Sequence, residues 1–480
     1  MSDGPPVATD LVEANAIIAA LWEQNRQLRE QVRRLEARVV ELEAQLAGDS
    51  SNSSRPPSSD PPWRKKRKRK PPKAPSGRKP GGQPGHQGKA RQAVPPERVD
   101  IVVPVLPERC SGCGDVFPDG TEATRFVSHQ VVELPKVPAF VTEYQMGTVH
   151  CVGCGTSTRA ERPGHVPASP FGPRLQAVVA TMTSGWRLSR RLVQQALSDL
   201  FDLDISLGTL QGIHERVGEA VALAVDDIAF DVAASASVHA DETGWRQRGD
   251  KRWLWVASSP DAVFFHLDKH RGRDALAMLL PDNFEGVLHC DRWRPYERFD
   301  VLQRQLCHAH LRRDFQALID RGGEGRRFGQ GFLDESDRMF KLWHRFQRDE
   351  VTRDGLADAM EPIWRRWEEL ATEAAASDID KARPLGKDML RQWDALWTFV
   401  YEDGAEPTNN DAEQEIRPAV LWRKTSFGTA SDRGSETVAR MLSVVRTARR
   451  RGVDLLDWLH ASCRAAAAGT VPPELRPTPP

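Results

Sequence analysis

Ser237-Val-His-Ala-Asp241-Glu-Thr-Gly-Trp245 is the stretch from which the rest of this chain can be read. An apolar, strand-like run ends there on a carboxylate, at the rim of a core, where a hard cation can hold it. Gly286-Val-Leu-His-Cys-Asp291-Arg-Trp293 repeats the pattern, and Asn409-Asn-Asp-Ala-Glu413-Gln-Glu-Ile-Arg417 puts a third acid at the start of a helix-like segment. Three such oxygen donors suit the paired Mg2+ ions that cut and join phosphodiesters. Without a cation each carboxylate raises the others' pKa, so the trio makes sense as a binding site rather than as a stabiliser. Blander readings stand beside this one. Glu413 has capping-box spacing from Asn410, Glu406 and Glu415 are competitors for its place, Asp291 fits a strand-end turn, and Glu242 fits Asp241's role.

Outward from these acids the hydrophobic period predicts strands at 236–239, 252–257 and 262–267, a helix at 273–280, and strands at 286–289 and 302–307. That is a mixed sheet with helices on its faces. Helix-like sequence from about 315 to 401 separates the second acid from the third and reads as an insertion. Cys307-His-Ala-His310-Leu-Arg-Arg313 closes the last strand. His310 and Arg313 share a helix face, which suits a phosphate contact or proton shuttle as well as a solvated helix start. A zinc site from His289, Cys290, Cys307 and His308 lacks paired spacing. Arg417 either steadies Glu413 or makes a plain helical pair, and Arg423 and Lys424 are candidate phosphate contacts.

Upstream, the 480 residues balance 67 basic against 67 acidic side chains, so no global field draws the chain to a polyanion. The distribution is uneven: no acid occurs between Asp60 and Glu97, and Arg64, Lys65, Lys66, Arg67, Lys68, Arg69 and Lys70 form one basic run. Such a run releases counterions from a phosphate backbone without reading sequence. Residues 11–46 carry heptads, with Leu11, Ile18, Asn25, Val32, Val39 and Leu46 at a and Ala14, Leu21, Leu28, Leu35 and Leu42 at d. That pattern favours a parallel two-stranded coil, with Arg38 facing the partner's Glu43, over an amphipathic helix packed on its own chain. Cys110-Ser-Gly-Cys113-Gly and Cys151-Val-Gly-Cys154-Gly suit one structural Zn2+ held by four thiolates, with strands at 125–134 and 139–149 bringing the pairs together. Residues 173–232 read as helical, with a helix, a turn at 202–204 and Ser206 capping a second helix, in the manner of a helix-turn-helix. A start without a signal pattern, no run of about 20 apolar residues, and seven cysteines predict a cytoplasmic chain, nucleoid-associated when on DNA, with no membrane partner.

Taken in order, these motifs resemble the DDE transposases of the bacterial insertion-sequence sixty-six family. Asn52-Ser-Ser-Arg-Pro-Pro-Ser-Ser-Asp60, Gly81-Gly-Gln-Pro-Gly-His-Gln-Gly88, both Cys-x-x-Cys-Gly pairs, Ala240-Asp-Glu-Thr, the Cys307 to Arg313 stretch and Asn409 to Pro418 carry the likeness, extended by Arg423-Lys and Asp432-Arg-Gly. Arg292-Trp293-Arg294-Pro295 and the tail after Ser462 depart from it. The resemblance implies a multidomain α+β chain: coiled-coil dimerisation over 1–48, a basic linker over 49–95, a zinc ribbon over 96–168 and a helical DNA-binding domain over 169–232. It implies an RNase H-like core over 233–320 and 401–435, a helical insertion over 321–400, and a C-terminal helix and tail over 436–480. It implies Asp241, Asp291 and Glu413 as the acid triad with two Mg2+, and Zn2+ in the ribbon. The expected partners are element-end and target double-stranded DNA, a second copy of the chain, and accessory proteins of the same element. A catalytically silent DNA-binding regulator and a structure-specific nuclease are the alternatives.

Overall fold

The computed structural model describes residues 9–47, 52, 92–164 and 166–476, so the basic run at 64–70 lies outside the described residues. The chain is a multidomain α+β protein. Helix α1 (Leu11–Ala47) is capped by Asp10, whose Oδ1 accepts the N–H groups of Val12 and Glu13 at 2.8 Å. Its stripe of Ile18, Leu21, Leu28, Val32, Leu35 and Val39 is exposed, so α1 does not bury that stripe on its own chain.

Between 92 and 164 regular structure is sparse. Strands β1 (Thr148–His150) and β2 (Ser157–Arg159) form an antiparallel pair. The expected strand at 125–134 does not form among the described residues, and of 139–149 only the end is a strand, paired with β2. Val127, Val131, Val132 and Leu134 are exposed on both alternating faces, so no buried face fixes a register there.

Four helices follow: α2 (Pro173–Ala180), α3 (Arg190–Phe201), α4 (Leu207–Ala220) and α5 (Ala222–Ala233). The chain reverses after α3 at Asp202, whose φ is 53°, and Ser206 Oγ accepts from Thr209 N at 3.1 Å to start α4. Both signals sit where the sequence puts them.

The sheet is built from β3 (Ser237–Gln247), β4 (Asp250–Ser258), β5 (Val263–Asp268), β6 (Val287–Cys290) and β7 (Arg304–Leu306), with the short helix α6 (Arg273–Ala277) between β5 and β6. Its spatial order is β5-β4-β3-β6-β7, antiparallel across the first three and parallel from β3 to β7. Strand β3 runs six residues past Asp241, where sequence reading ends it at 239. Arg248 and Gly249, at φ 52° and 89°, close a two-residue hairpin that keeps Thr243 to Gln247 in the ladder.

Helices α7 (His308–Arg321), α8 (Gly325–Phe346), α9 (Arg353–Ala376), α10 (Ala382–Arg391) and α11 (Thr398–Tyr401) surround an aromatic cluster of Phe315, Phe332, Trp367, Trp397 and Phe399. Helices α12 (Asn410–Ser426) and α13 (Asp432–Arg450) cover one face of the sheet. Ala412, Ile416, Ala419, Val438 and Leu442 pack there on Trp245, Leu254, Val256, Val263 and Phe265. Each large side chain buried this way contributes about 1.5–3 kcal/mol, enough in sum to hold a costly polar site at the edge. Helix α14 (Leu455–Ala468) packs on α2. Among the described residues no helix is long and apolar enough to cross a membrane.

Candidate active site

Strand alternation puts Asp241 and Thr243 on the same face of β3 as Trp245, the face that α12 covers. Parallel pairing of Val238 with Leu288 and His239 with His289, carried two residues further, sets Asp241 beside Asp291. The Cys290 to Leu306 pairing, carried one further, sets Cys307 beside Asp291. Asp291 and Cys307 therefore lie just past the carboxyl ends of parallel strands, the usual ligand edge of such sheets. The first turn of α12 supplies Glu413. From α7, His310 Nε2 lies 3.6 Å from Glu413 Oε1 and Arg313 Nη2 lies 3.6 Å from Glu413 Oε2. The shared helix face of His310 and Arg313 thus points at the third acid. Arg417 is exposed, and the cations that meet Glu413 come from α7.

Burial, then the neighbouring Glu242 and Asp291 carboxylates, pushes the Asp241 carboxyl well above its usual range. Asp241 Oδ1 accepts the Glu242 N–H at 2.9 Å and Asp291 Oδ1 that of Trp293 at 2.8 Å. Glu242 has its own partners on the other face, Arg271 Nε at 2.7 Å and Tyr296 Oη at 2.8 Å, which makes it a poor substitute for Asp241. Glu415 is taken up by Arg446 and by Arg450 at 2.9 Å. Burial opposes a charged His310, but the Cys307 sulfur and the Glu413 carboxylate raise it to about 9.

The capping-box account of Glu413 does not hold. Asn409 occupies the cap position of α12 without a side-chain capping bond. Only 1% exposed, it donates from Nδ2 to Ala240 O at 2.7 Å, accepts at Oδ1 from His239 Nδ1 at 3.2 Å, and gives its N–H to Cys307 Sγ at 3.2 Å. One residue thereby ties together the segments bearing Asp241, Cys307 and Glu413. Sequence reading quotes Asn409 only as part of a motif, because a polar residue before a helix looks the same whether it caps or crosses to a strand. Beneath it the His239 and His289 rings stack 4.0 Å apart, both neutral, since burial lowers His239 to about 4 and His289 well below its usual value. His289 is spent on Val238 O at 3.2 Å and the Glu406 N–H at 2.9 Å, while His308 gives only Nε2, to Leu396 O at 2.8 Å. The set His289, Cys290, Cys307 and His308 does not come together as a metal site among the described residues.

The two cysteine pairs adopt the same local turn. Cys110 O accepts from Gly114 N and Cys151 O from Gly155 N, each at 2.9 Å, and those glycines have φ of 82° and 73°, which a side chain would oppose. The Cys113 and Gly112 N–H groups lower the Cys110 thiol's pKa, and Thr156 lowers that of Cys154. Each pair is thus a turn shaped to present thiolates. Arg423 is half-buried, with Nη1 3.4 Å from Thr243 Oγ1, while Lys424 is exposed.

The acid site also fits a divalent ion. Glu413 Oε1 is buried with no hydrogen-bond partner among the described residues, and Asp241 is buried beside the Glu242 and Asp291 carboxylates, which His310 offsets only in part. Comparison with known proteins adds the following. A family model described as the Transposase IS66 family matches residues 168–437, more than half of the chain, and a family of unknown function (DUF6444) matches residues 3–92. Two curated relatives come from Sinorhizobium fredii (strain NBRC 101917 / NGR234). Uncharacterized protein y4qI is 25% identical over 416 residues, 78% of this chain and 73% of the relative. Uncharacterized protein y4hP is 24% identical over 407 residues, 76% and 71% of the two.

Proposed function

The chain belongs to the IS66 transposase family, and from that premise we propose that it binds the ends of an insertion element, cleaves there, and joins the freed 3′-hydroxyl to target DNA. What supports this reading is the adjacency of Asp241 and Asp291 at one sheet edge, with Glu413 entering from α12 beside His310 and Arg313 and its Oε1 buried without a hydrogen-bond partner among the described residues. These three acids would hold two Mg2+, which when bound activate the attacking oxygen and stabilise the leaving one. The remaining residues prepare that site. Arg271 and Tyr296 take up the Glu242 carboxylate, His310 and Arg313 aim Glu413, and Asn409 keeps α12 against β3.

DNA is held by charge and by shape. The run from Arg64 to Lys70 neutralises phosphates, Arg423 and Lys424 line the approach, and the α3–turn–α4 hairpin enters a groove. Cys110, Cys113, Cys151 and Cys154 hold a structural Zn2+, and α1 pairs two chains through its exposed stripe. An RNase H-like core is the reading that the sheet order supports. Asp291→Asn should leave binding to a labelled end fragment intact and lower strand transfer by about a thousandfold or more. Equal transfer by the variant would refute the assignment.

A further inference from the structure

Beside the acid edge lies a donor set of a different chemical kind. Cys307 Sγ, a ring nitrogen of His310 and a carboxylate oxygen of Glu413 lie within 4.8 Å of one another. Two of the three residues have a buried atom without a hydrogen-bond partner among the described residues, His310 Nδ1 and Glu413 Oε1, the latter 3.6 Å from His310 Nε2. The scaffold around the set is fixed, because Cys307 and His310 sit one turn apart at the start of α7 and the Asn409 N–H already points at the sulfur. Arg313 engages the other oxygen of Glu413, which leaves Oε1 toward His310.

We propose that Cys307, His310 and Glu413 form a site for one thiophilic divalent cation of the Zn2+ class, and that its occupation takes Glu413 away from the catalytic edge. Sulfur, nitrogen and oxygen donors bind Zn2+ at about 2.0–2.3 Å and so stand roughly 3.4–3.8 Å apart around it, a spacing that the His310 Nε2 to Glu413 Oε1 distance of 3.6 Å already meets. Once the ion has displaced the His310 proton and the Cys307 thiol proton to solvent, a thiolate, a carboxylate and a neutral imidazole bring two negative charges, which match one dication in a half-buried place. Water or a DNA oxygen completes the tetrahedron. Mg2+ takes oxygen donors and has little use for the sulfur, so the two metals call on different neighbours of the same glutamate. Zinc is thus a brake on a magnesium enzyme. The site stands without the catalytic reading of Glu413, whereas the brake rests on it.

The test uses the full chain loaded with one equivalent of Zn2+ per chain to fill the Cys-x-x-Cys cysteines, then titrated with Co2+ as a spectroscopic probe. One further Co2+ should bind with tetrahedral visible bands and a sulfur-to-cobalt charge-transfer band. Cys307→Ser should abolish the charge-transfer band, and His310→Gln should keep it while weakening binding by about tenfold or more. In strand-transfer assays with Mg2+, added Zn2+ should inhibit the wild type. Each variant, compared with its own zinc-free rate, should need about tenfold more or higher. Absence of the charge-transfer band, or its persistence in Cys307→Ser, overturns the site. A cobalt site with normal transfer by Glu413→Gln overturns the catalytic reading and leaves the site standing. A cobalt site with no cysteine-dependent inhibition overturns the brake.

Discussion

The acid edge of the sheet and the cysteine stretch at 92–164 both gather groups that suit metal ions, but they are supported in opposite ways. Around the acids the chain builds its shape first. Trp245, Leu254, Val256 and Phe265 are buried under α12 and α13, and the like charges sit on that finished core. Around the cysteines the apolar side chains are largely exposed, Phe140 at 95%, and two three-residue strands are the only ladder among the described residues there. On the proposed reading, a cation in the first region would be a guest that relieves a cost, and one in the second would be part of what makes the fold. A ligand's removal should therefore have opposite signs in the two places.

The largest effect is expected at the cysteines. Cys113→Ser or Cys154→Ser should lower bound zinc by one equivalent per chain and open 92–164 to protease, consistent with the ~10 kcal/mol scale of structural zinc sites. The transition of the sheet region should be unmoved. Undiminished zinc and unchanged protease resistance would break the comparison.

Asn409 is next. Asn409→Ala removes the two buried side-chain hydrogen bonds that join β3 to the start of α12, leaves the backbone N–H on Cys307, and should cost the sheet region about 2–3 kcal/mol in denaturant melts while cutting strand transfer. Loss of stability with normal transfer would show that Asn409 holds the fold but not the acids.

A pH effect follows from His214, buried in α4 and hydrogen-bonded to Ser184 Oγ at 2.9 Å, whose pKa burial lowers to about 4. Below the usual value of 6.5 the unfolded chain binds a proton that the folded chain refuses. Stability is complete above pH 6.5 and falls by about 1.4 kcal/mol per unit toward pH 4. His239, His289 and His308 add to the slope in the same direction, so His214→Gln should reduce it by that one contribution in melts between pH 4.5 and 7; an unchanged slope contradicts the assignment.

The smallest effect sharpens the contrast most. Asp241→Asn removes one of several crowded carboxylates and should stabilise the metal-free protein by about 1 kcal/mol, while ending strand transfer. Destabilisation by this substitution would mean that the acids support the fold as the cysteines do.

Much of this arrangement is legible from residues alone, and what is not has a physical cause. The acids stand out because a carboxylate beside a buried strand is out of character. The second half of β3 escapes notice for the same reason, since Asp241-Glu-Thr-Gly244 looks like a loop and yet pairs along its whole length with β4. Thr209's N–H finds Ser206 because caps act locally, whereas Asn409 acts across the sheet, where no sequence pattern records it. At 125–134 the alternation of a strand is present, but no packed face converts it into one.

Diffraction from crystals of the full chain soaked in Mn2+ tests the acid edge most directly, because the anomalous signal locates the ion without reference to activity. The expected result is density in contact with Asp241, Asp291 and Glu413, lost in Asp241→Asn. Manganese found only elsewhere, with the three carboxylates apart, would contradict it.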